Sequence, residues 1–134
     1  SLMTAMEFHL VDVMYGIGGA PEGVVSAVAM KAMGGEMQAR LVLRHHAKGD
    51  TSANRQIAES EQARCRDMGI DPGTVLSHDR LVRSDECLFV GAGITDGEIV
   101  PGVSREGADR LVHSLLVSAD TRAVRRIVSR YPSG

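Results

Sequence analysis

The sequence predicts an α/β fold, in the form of a layered α/β/α sandwich. Short apolar segments with β-branched residues alternate along the chain with longer helical segments that end at glycine. The chain has 134 residues, 43% of them apolar and 24% charged, which is typical of a globular domain. A chain of this length buries roughly two thirds of its unfolded surface, enough for one hydrophobic core.

The first half of the chain predicts two strands and two helices. Pro21 suits the first turn of a helix, where its missing N–H costs nothing, and Gly34-Gly35 ends that helix. Only Ser26 and Lys31 interrupt its apolar surface, so we expect it to be covered on two sides. The predicted elements are a strand over Phe8–Tyr15, a helix from Pro21 to about Met33, a strand over Met37–Leu43, a loop over His45–Ser52 and an amphipathic helix over Asn54–Met68.

The second half predicts two strands, a glycine-rich loop and a final helix. Val124, Ile127 and Val128 recur at helical spacing, which favours the final helix. The predicted elements are a short element over Val75–Leu81, a strand over Cys87–Ala92, a loop over Gly91–Gly102 with an extended stretch at Glu98–Val100, a strand over Arg110–Val117 and a helix over Thr121–Tyr131.

Charge and composition exclude several function classes. The formal net charge of −2 gives no support to a nucleic-acid partner, which usually requires a strongly basic face. No apolar run reaches the 18 or more residues of a membrane span, and no signal-peptide pattern is present. Cys65 and Cys87 have no metal-ligand spacing and suit a reducing compartment, so we expect a cytoplasmic protein.

The segment from Asp12 to Gly23 carries the strongest functional signal. Clustered glycines lead into a helix that opens with Pro21 and Glu22, and such a layout directs backbone N–H groups and the positive helix end at an anion. A carboxylate beside a phosphate is repelled, which leaves two interpretations. Either Glu22 complements the helix N-terminus, or a divalent cation lies between it and the phosphate.

A dinucleotide site and a complete metal site both lack support in this segment. Gly16-x-Gly18 fits half of a dinucleotide fingerprint, but Pro21 occupies the third glycine position. Mg²⁺ and Mn²⁺ need several oxygen ligands, and no compact carboxylate cluster stands near Glu22 in sequence. Asp12 is expected mid-strand, and Glu36 is a weak candidate for the same end of the sheet.

Three further groups have ordinary structural explanations. The rings of the adjacent His45 and His46 are expected on different sides of an extended, solvated loop. Arginines of the predicted last helix fall mostly on one face, which is either a solvated face or the binding site of an anionic partner. Turn chemistry accounts for the acidic Thr95–Glu98 segment. The arginines in question are Arg122, Arg125, Arg126 and Arg130.

Taken together, these segments resemble the class II fructose-1,6-bisphosphatases and the related cyanobacterial fructose/sedoheptulose bisphosphatases. Residues 9–131 carry the resemblance. The matching stretches are Asp12-Val-Met-Tyr-Gly-Ile-Gly-Gly-Ala-Pro-Glu-Gly, Gly34-Gly-Glu-Met-Gln-Ala-Arg, Gly93-Ile-Thr-Asp-Gly-Glu and Thr121-Arg-Ala-Val-Arg-Arg-Ile.

The resemblance implies a fold and three site residues. Residues 9–134 correspond to the C-terminal domain of a two-domain sugar-phosphatase fold, and residues 1–8 are interpreted as a cloning remnant and domain edge. Glu22 corresponds to a ligand of Mn²⁺ or Mg²⁺, Gly19 to a substrate-contacting glycine, and Gly18 to its neighbour in the phosphate pocket. The family's other metal carboxylates and its sugar-phosphate-binding basic residues belong to an N-terminal half.

The expected parent protein is a metal-dependent sugar bisphosphatase that hydrolyses the 1-phosphate of fructose 1,6-bisphosphate in gluconeogenesis or glycerol metabolism. We expect a homo-oligomer that requires the N-terminal domain as a partner, and an isolated chain that is inactive. The alternatives are a non-catalytic sugar-phosphate-binding or interaction domain and, from the arginine segment, a nucleic-acid binder, which the net charge opposes.

Overall fold

The computed structural model describes residues 12–133, which form two compact units. Of the described residues, the first unit comprises 12–37 and 78–133, and the second is Gln38–Ser77. Helices and antiparallel sheets occur together, which confirms the α/β class in its coarse form. The layered sandwich stays a prediction. Among the described residues, no helix is long and apolar enough to cross a membrane.

In the first unit, one helix and a four-stranded antiparallel sheet form the core. The elements are α1 (Ala20–Met33), β3 (Leu88–Ala92), β4 (Ser104–Glu106), β5 (Asp109–Ser118) and β6 (Val124–Tyr131), and a short helix, α4, spans His78–Leu81. β5 is the central strand. It pairs with β6 along almost its whole length, and β3 and β4 share its other edge.

The core lies between α1 and one face of this sheet. Leu115 and Val117 of β5 are 1% and 0% exposed and cluster with Ala32 of α1. The buried residues of α1 lie in its second half, whereas Val24 and Val25 near its start are exposed. The expectation that this helix is covered on two sides is therefore wrong for its first turns.

The second unit combines a two-stranded ladder with two helices. β1 (Gln38–Arg40) pairs antiparallel with β2 (Val75–Ser77), and α2 (Arg44–Lys48) and α3 (Ser52–Asp67) lie between them in sequence. The Thr51 hydroxyl caps α3 by accepting a hydrogen bond from the Asn54 N–H at 3.2 Å, as expected for a residue that favours N-cap positions.

Several predicted elements agree with the structure. The helix to Met33, the helix over Asn54–Met68 and the strands over Cys87–Ala92 and Arg110–Val117 are present with boundaries within two residues. The strand over Met37–Leu43 is only three residues long, since its ladder with β2 has three paired positions. The element over Val75–Leu81 divides into a strand and a helical turn.

Other predictions are wrong. Thr121–Tyr131 contains a strand and no helix, because Val124–Tyr131 pairs with β5. His45–Ser52 is not all loop, since α2 covers its start. Glu98–Val100 bends where an extended stretch was expected, and Asp12–Tyr15 forms no strand. The Phe8–Val11 part of that strand and the residue 1–8 interpretation lie outside the described residues, as does Gly134.

Candidate functional site

The glycine loop runs exposed into the N-terminus of α1. Gly19 is the N-cap residue, with an extended backbone at φ −69° and ψ 157°, and no side chain caps the helix. Its carbonyl accepts the Gly23 N–H at 3.0 Å, the first hydrogen bond of the helix. Pro21 lies in the first turn as predicted. Backbone N–H groups of an uncapped first turn are available to an anion, and the helix dipole favours negative charge there.

The Glu22 side chain folds back over Gly19. A Cβ added to Gly19 would collide with the Glu22 carboxylate, whose Oε2 is the nearest atom. Gly19 has a backbone conformation open to any residue, so a side chain at this position would conflict only with the Glu22 carboxylate and would have to displace it. The structure therefore places two of the predicted site residues, Gly19 and Glu22, in direct contact.

Gly18 stands apart from this contact. A Cβ built on Gly18 would meet no heavy atom within 4 Å among the described residues, and its φ lies outside the left-handed region. Neither sterics nor backbone conformation therefore requires glycine at this position within the described part of the chain. Its predicted place in a phosphate pocket stays a prediction.

The start of α1 offers the type of ligand that a hard divalent cation prefers, but too few such ligands to hold one. Glu22 is exposed and supplies carboxylate oxygens, the ligands that Mg²⁺ and Mn²⁺ prefer. Across residues 12–133, no group of three or more His, Cys, Asp or Glu residues could hold a metal ion. The described residues could therefore provide one ligand of such a site, and they do not complete it.

Glu36 does not contribute to this end of the helix. It follows the C-terminal end of α1, and its Oε2 lies 3.8 Å from Nδ1 of His78. Since Glu22 is the third residue of the 14-residue α1, about 17 Å of helix separates it from the end that Glu36 follows. The prediction that Glu36 could reach the same site is wrong for the described structure.

A charged cluster at the C-terminal end of α1 was not predicted. The Lys31 ammonium contacts Asp85 at 2.8 Å and Asp79 at 3.1 Å, and it donates to the Val82 carbonyl at 3.0 Å. The hydrogen bond from Lys31 lowers the pKa of Asp85, and the same bond is the main cause that raises the pKa of Lys31. The signal in the sequence was the single lysine in an otherwise apolar helix.

A cavity of about 270 Å³ adjoins this cluster. Arg122 lines it from the β5–β6 connection, with its guanidinium over Gly34 and its own backbone in the left-handed region at φ 52°. Its walls carry both signs of charge, and Lys31 is already occupied by three acceptors. The contacts of Lys31 join the C-terminal end of α1 to α4 and to the segment directly after α4.

The predicted arginine face does not exist, because Arg125, Arg126 and Arg130 belong to β6 and Arg122 lies in the connection before it. Adjacent residues of β6 point to opposite faces of the sheet. Arg126 donates to the Ile99 carbonyl at 2.8 Å, and Arg130 binds Asp109 at 3.0 Å and also Glu106. Arg125 points to the opposite face. The alternative of a nucleic-acid-binding arginine helix therefore loses its structural basis.

The remaining candidates are Asp96, which has a structural role, and the two adjacent histidines, for which the geometry shows no role. Asp96 accepts the Gly102 N–H at 2.9 Å and closes its loop, as turn chemistry predicted. His45 and His46 lie on α2 with ring centroids 3.8 Å apart, so their expected placement on different sides of an extended loop is wrong.

Comparison with known proteins assigns the chain to a family. The model of the family "Bacterial fructose-1,6-bisphosphatase, glpX-encoded" matches residues 1–131. The chain belongs to this family. The predicted resemblance to class II fructose-1,6-bisphosphatases is confirmed.

Individual relatives agree. The chain is similar to fructose-1,6-bisphosphatase 1 class 2 of Escherichia coli strain K12, with 48% identity over 129 residues that cover 96% of this chain and 38% of the relative. It is 44% identical over 119 residues to the class 2 enzyme of Haemophilus influenzae, covering 89% of this chain and 36% of that relative. A D-fructose 1,6-bisphosphatase class 2/sedoheptulose 1,7-bisphosphatase of Acaryochloris marina is 36% identical, covering 86% and 33%. The chain spans little more than a third of the relatives' length.

Proposed function

We propose that this chain forms part of a cytoplasmic, metal-dependent bisphosphatase that removes the 1-phosphate of fructose 1,6-bisphosphate, in gluconeogenesis or glycerol metabolism. Relatives that match nearly the whole chain are named for hydrolysis of this substrate. The observation that carries the proposal is the contact between Glu22 and Gly19 at an uncapped helix N-terminus. It joins a carboxylate and free backbone N–H groups in one turn of the chain.

The chain's own residues would supply one metal ligand and a stretch of backbone that contacts the phosphate. Glu22 would hold one Mn²⁺ or Mg²⁺, and such an ion polarises a phosphoryl oxygen and activates water. The backbone around Gly18 and Gly19 would approach the phosphate, where helix N–H groups stabilise negative charge. No serine or cysteine nucleophile is needed for this chemistry.

The proposal includes dependence on another part of the protein. One carboxylate does not complete a divalent-cation site, and the described residues hold no further ligand group. The remaining ligands and the sugar-binding residues would come from the portion of the relatives that this chain does not span. We therefore propose that the chain is inactive alone and acts in a homo-oligomeric, two-domain enzyme.

Phosphate release from fructose 1,6-bisphosphate tests this directly. In a chimera, the matched segment of the Escherichia coli relative is replaced by this chain, and release is measured with Mn²⁺. We expect turnover by the chimera and none above background by the chain alone at the same concentration. A folded chimera without turnover would favour the alternative, a non-catalytic sugar-phosphate-binding or interaction domain. Turnover by the chain alone would contradict the shared site.

A further inference from the structure

The cavity at the C-terminal end of α1 is lined by charged side chains that the proposed reaction does not use. Its volume is about 270 Å³, the space that roughly nine water molecules take up in the liquid. The lining residues all belong to the first unit. About 17 Å of helix separates this end of α1 from Glu22, so a molecule bound in the cavity would leave the proposed metal position free.

Three of the charged groups on the cavity wall are already paired with one another. The Lys31 ammonium contacts Asp79 at 3.1 Å and Asp85 at 2.8 Å. It also donates to the Val82 carbonyl at 3.0 Å. An ammonium group has three donors, and these three acceptors use all of them. Lys31 therefore forms a fixed part of the wall and has no donor left for a ligand.

Arg122 differs from Lys31, because its guanidinium is unpaired. Within residues 12–133, the Arg122 side chain makes neither a hydrogen bond nor an ion pair. The guanidinium lies over Gly34, with its Nη1 3.6 Å from the position that a Cβ of Gly34 would take. A planar guanidinium binds a carboxylate through two parallel hydrogen bonds. Arg122 therefore presents a carboxylate-binding group at the cavity wall.

Glu36 places an unpaired charge of the opposite sign in the same wall. Its side chain is 93% exposed, and its Oε2 lies 3.8 Å from Nδ1 of His78, which is too far for a hydrogen bond. That Nδ1 has no hydrogen-bond partner in the described part of the chain. No ion pair joins Glu36 to Arg122, although both line the cavity. Two opposite charges therefore line one cavity without neutralising each other.

The charge pattern selects the class of ligand. A purely anionic molecule would be repelled by Glu36, Asp79 and Asp85, and a purely cationic one by Arg122 beside Lys31. A metal ion is also a poor match, since residues 12–133 contain no group of three or more His, Cys, Asp or Glu residues that could hold one. A molecule with both a carboxylate and an ammonium group would place an opposite charge against each unpaired side chain.

We propose that this cavity binds a free α-amino acid with an uncharged side chain. The ligand carboxylate would pair with Arg122 and the ligand ammonium with Glu36. The small residues Gly34, Gly35 and Ala119 on the wall leave space for the ligand side chain. The volume suits an amino acid of about nine non-hydrogen atoms. The site is separate from Glu22 and does not depend on the proposed hydrolysis.

Calorimetric titration of the chimera with L-asparagine and L-leucine tests the proposal, because these amino acids are equal in size and differ in side-chain polarity. Their N-acetyl derivatives lack the ammonium group, and their amides lack the carboxylate. Arg122→Asn removes the guanidinium with a residue that tolerates the left-handed backbone, and Glu36→Gln removes the carboxylate charge. Arg105→Asn and Glu59→Gln are the controls, at exposed positions outside the cavity. Circular dichroism establishes that all variants keep the fold.

We expect at least one of the two amino acids to bind at millimolar concentration. Arg122→Asn, Glu36→Gln, acetylation and amidation should each weaken binding at least about tenfold, and the two control variants should change it less than about twofold. Absence of binding by both amino acids overturns the proposal. So does equal binding of the N-acetyl derivative, which would indicate a site for anions alone, or an equal effect of cavity and control variants. The titration contains neither Mn²⁺ nor sugar bisphosphate, so failure of the proposed reaction remains distinguishable.

Discussion

Glu22 and Gly19 form the smallest unit on which the functional account depends. The carboxylate occupies the space where a Gly19 side chain would lie, and both residues belong to the first turn of α1. Their proximity follows from local chain geometry and needs no tertiary contact. For that reason the sequence motif was sufficient to identify the pair, whereas the steric coupling between the two residues required coordinates.

The Gly19→Ala variant separates a steric role from general stability. The added methyl group must displace the Glu22 carboxylate, which is the end of a flexible side chain, so folding should change by only about 0.5 kcal/mol. We expect the chimera with Gly19→Ala to lose at least tenfold in kcat/KM. Gly23→Ala is the matched control, because its methyl group meets no described atom within 4 Å. Steady-state kinetics and urea unfolding check both variants, and equal losses in both would contradict the steric role.

At the scale of elements, the final segment shows where sequence periodicity misleads. Val124, Ile127 and Val128 fit helical spacing, yet all three are β-branched residues, which favour strands. Pairing with β5 decides between them, because β-branched residues favour strands and the short turn after Ser118 returns the chain alongside β5. Such long-range pairing was not visible in a window of ten residues. The same limit explains why the three-residue β4 was missed.

The anchoring of α1 by Lys31 is a property of several elements. Lys31→Met removes two ion pairs and the bond to the Val82 carbonyl from a side chain that is 11% exposed. We expect the midpoint of thermal unfolding at pH 7 to fall by a few degrees. Lys48→Met on α2, where no side-chain contact is described, is the control and should leave the midpoint nearly unchanged.

The ion pair between Lys31 and Asp85 also predicts how the stability of the fold depends on pH. The pKa of Asp85 is lowered in the fold, so its contribution is present above the ordinary aspartate value and is lost as pH falls through the lowered value. The pKa of Lys31 is raised from 10.5, so its contribution is present below that value and is lost as pH rises through the higher one. The destabilisation by Lys31→Met should therefore shrink in strong acid. A difference that persists unchanged at pH 2 would argue against the ion pairs.

At the scale of the whole molecule, the sequence predicted the fold class and the family. These depend on local signals: apolar strands, helix-ending glycines and one contiguous motif. The cluster of Lys31 with Asp79 and Asp85 could not be predicted, because it forms where residues about 50 positions apart in sequence come together.

The measurement that tests the central claim most directly is kcat/KM for Mn²⁺-dependent phosphate release by the chimera with Glu22→Gln. Glu59→Gln is the control, since Glu59 is equally exposed and belongs to α3. Loss of a metal ligand removes several kcal/mol of transition-state stabilisation, so we predict a decrease of about 100-fold or more for Glu22→Gln. We predict less than a twofold change for Glu59→Gln. A Glu22→Gln chimera that retains the activity and Mn²⁺ dependence of its parent would contradict the account.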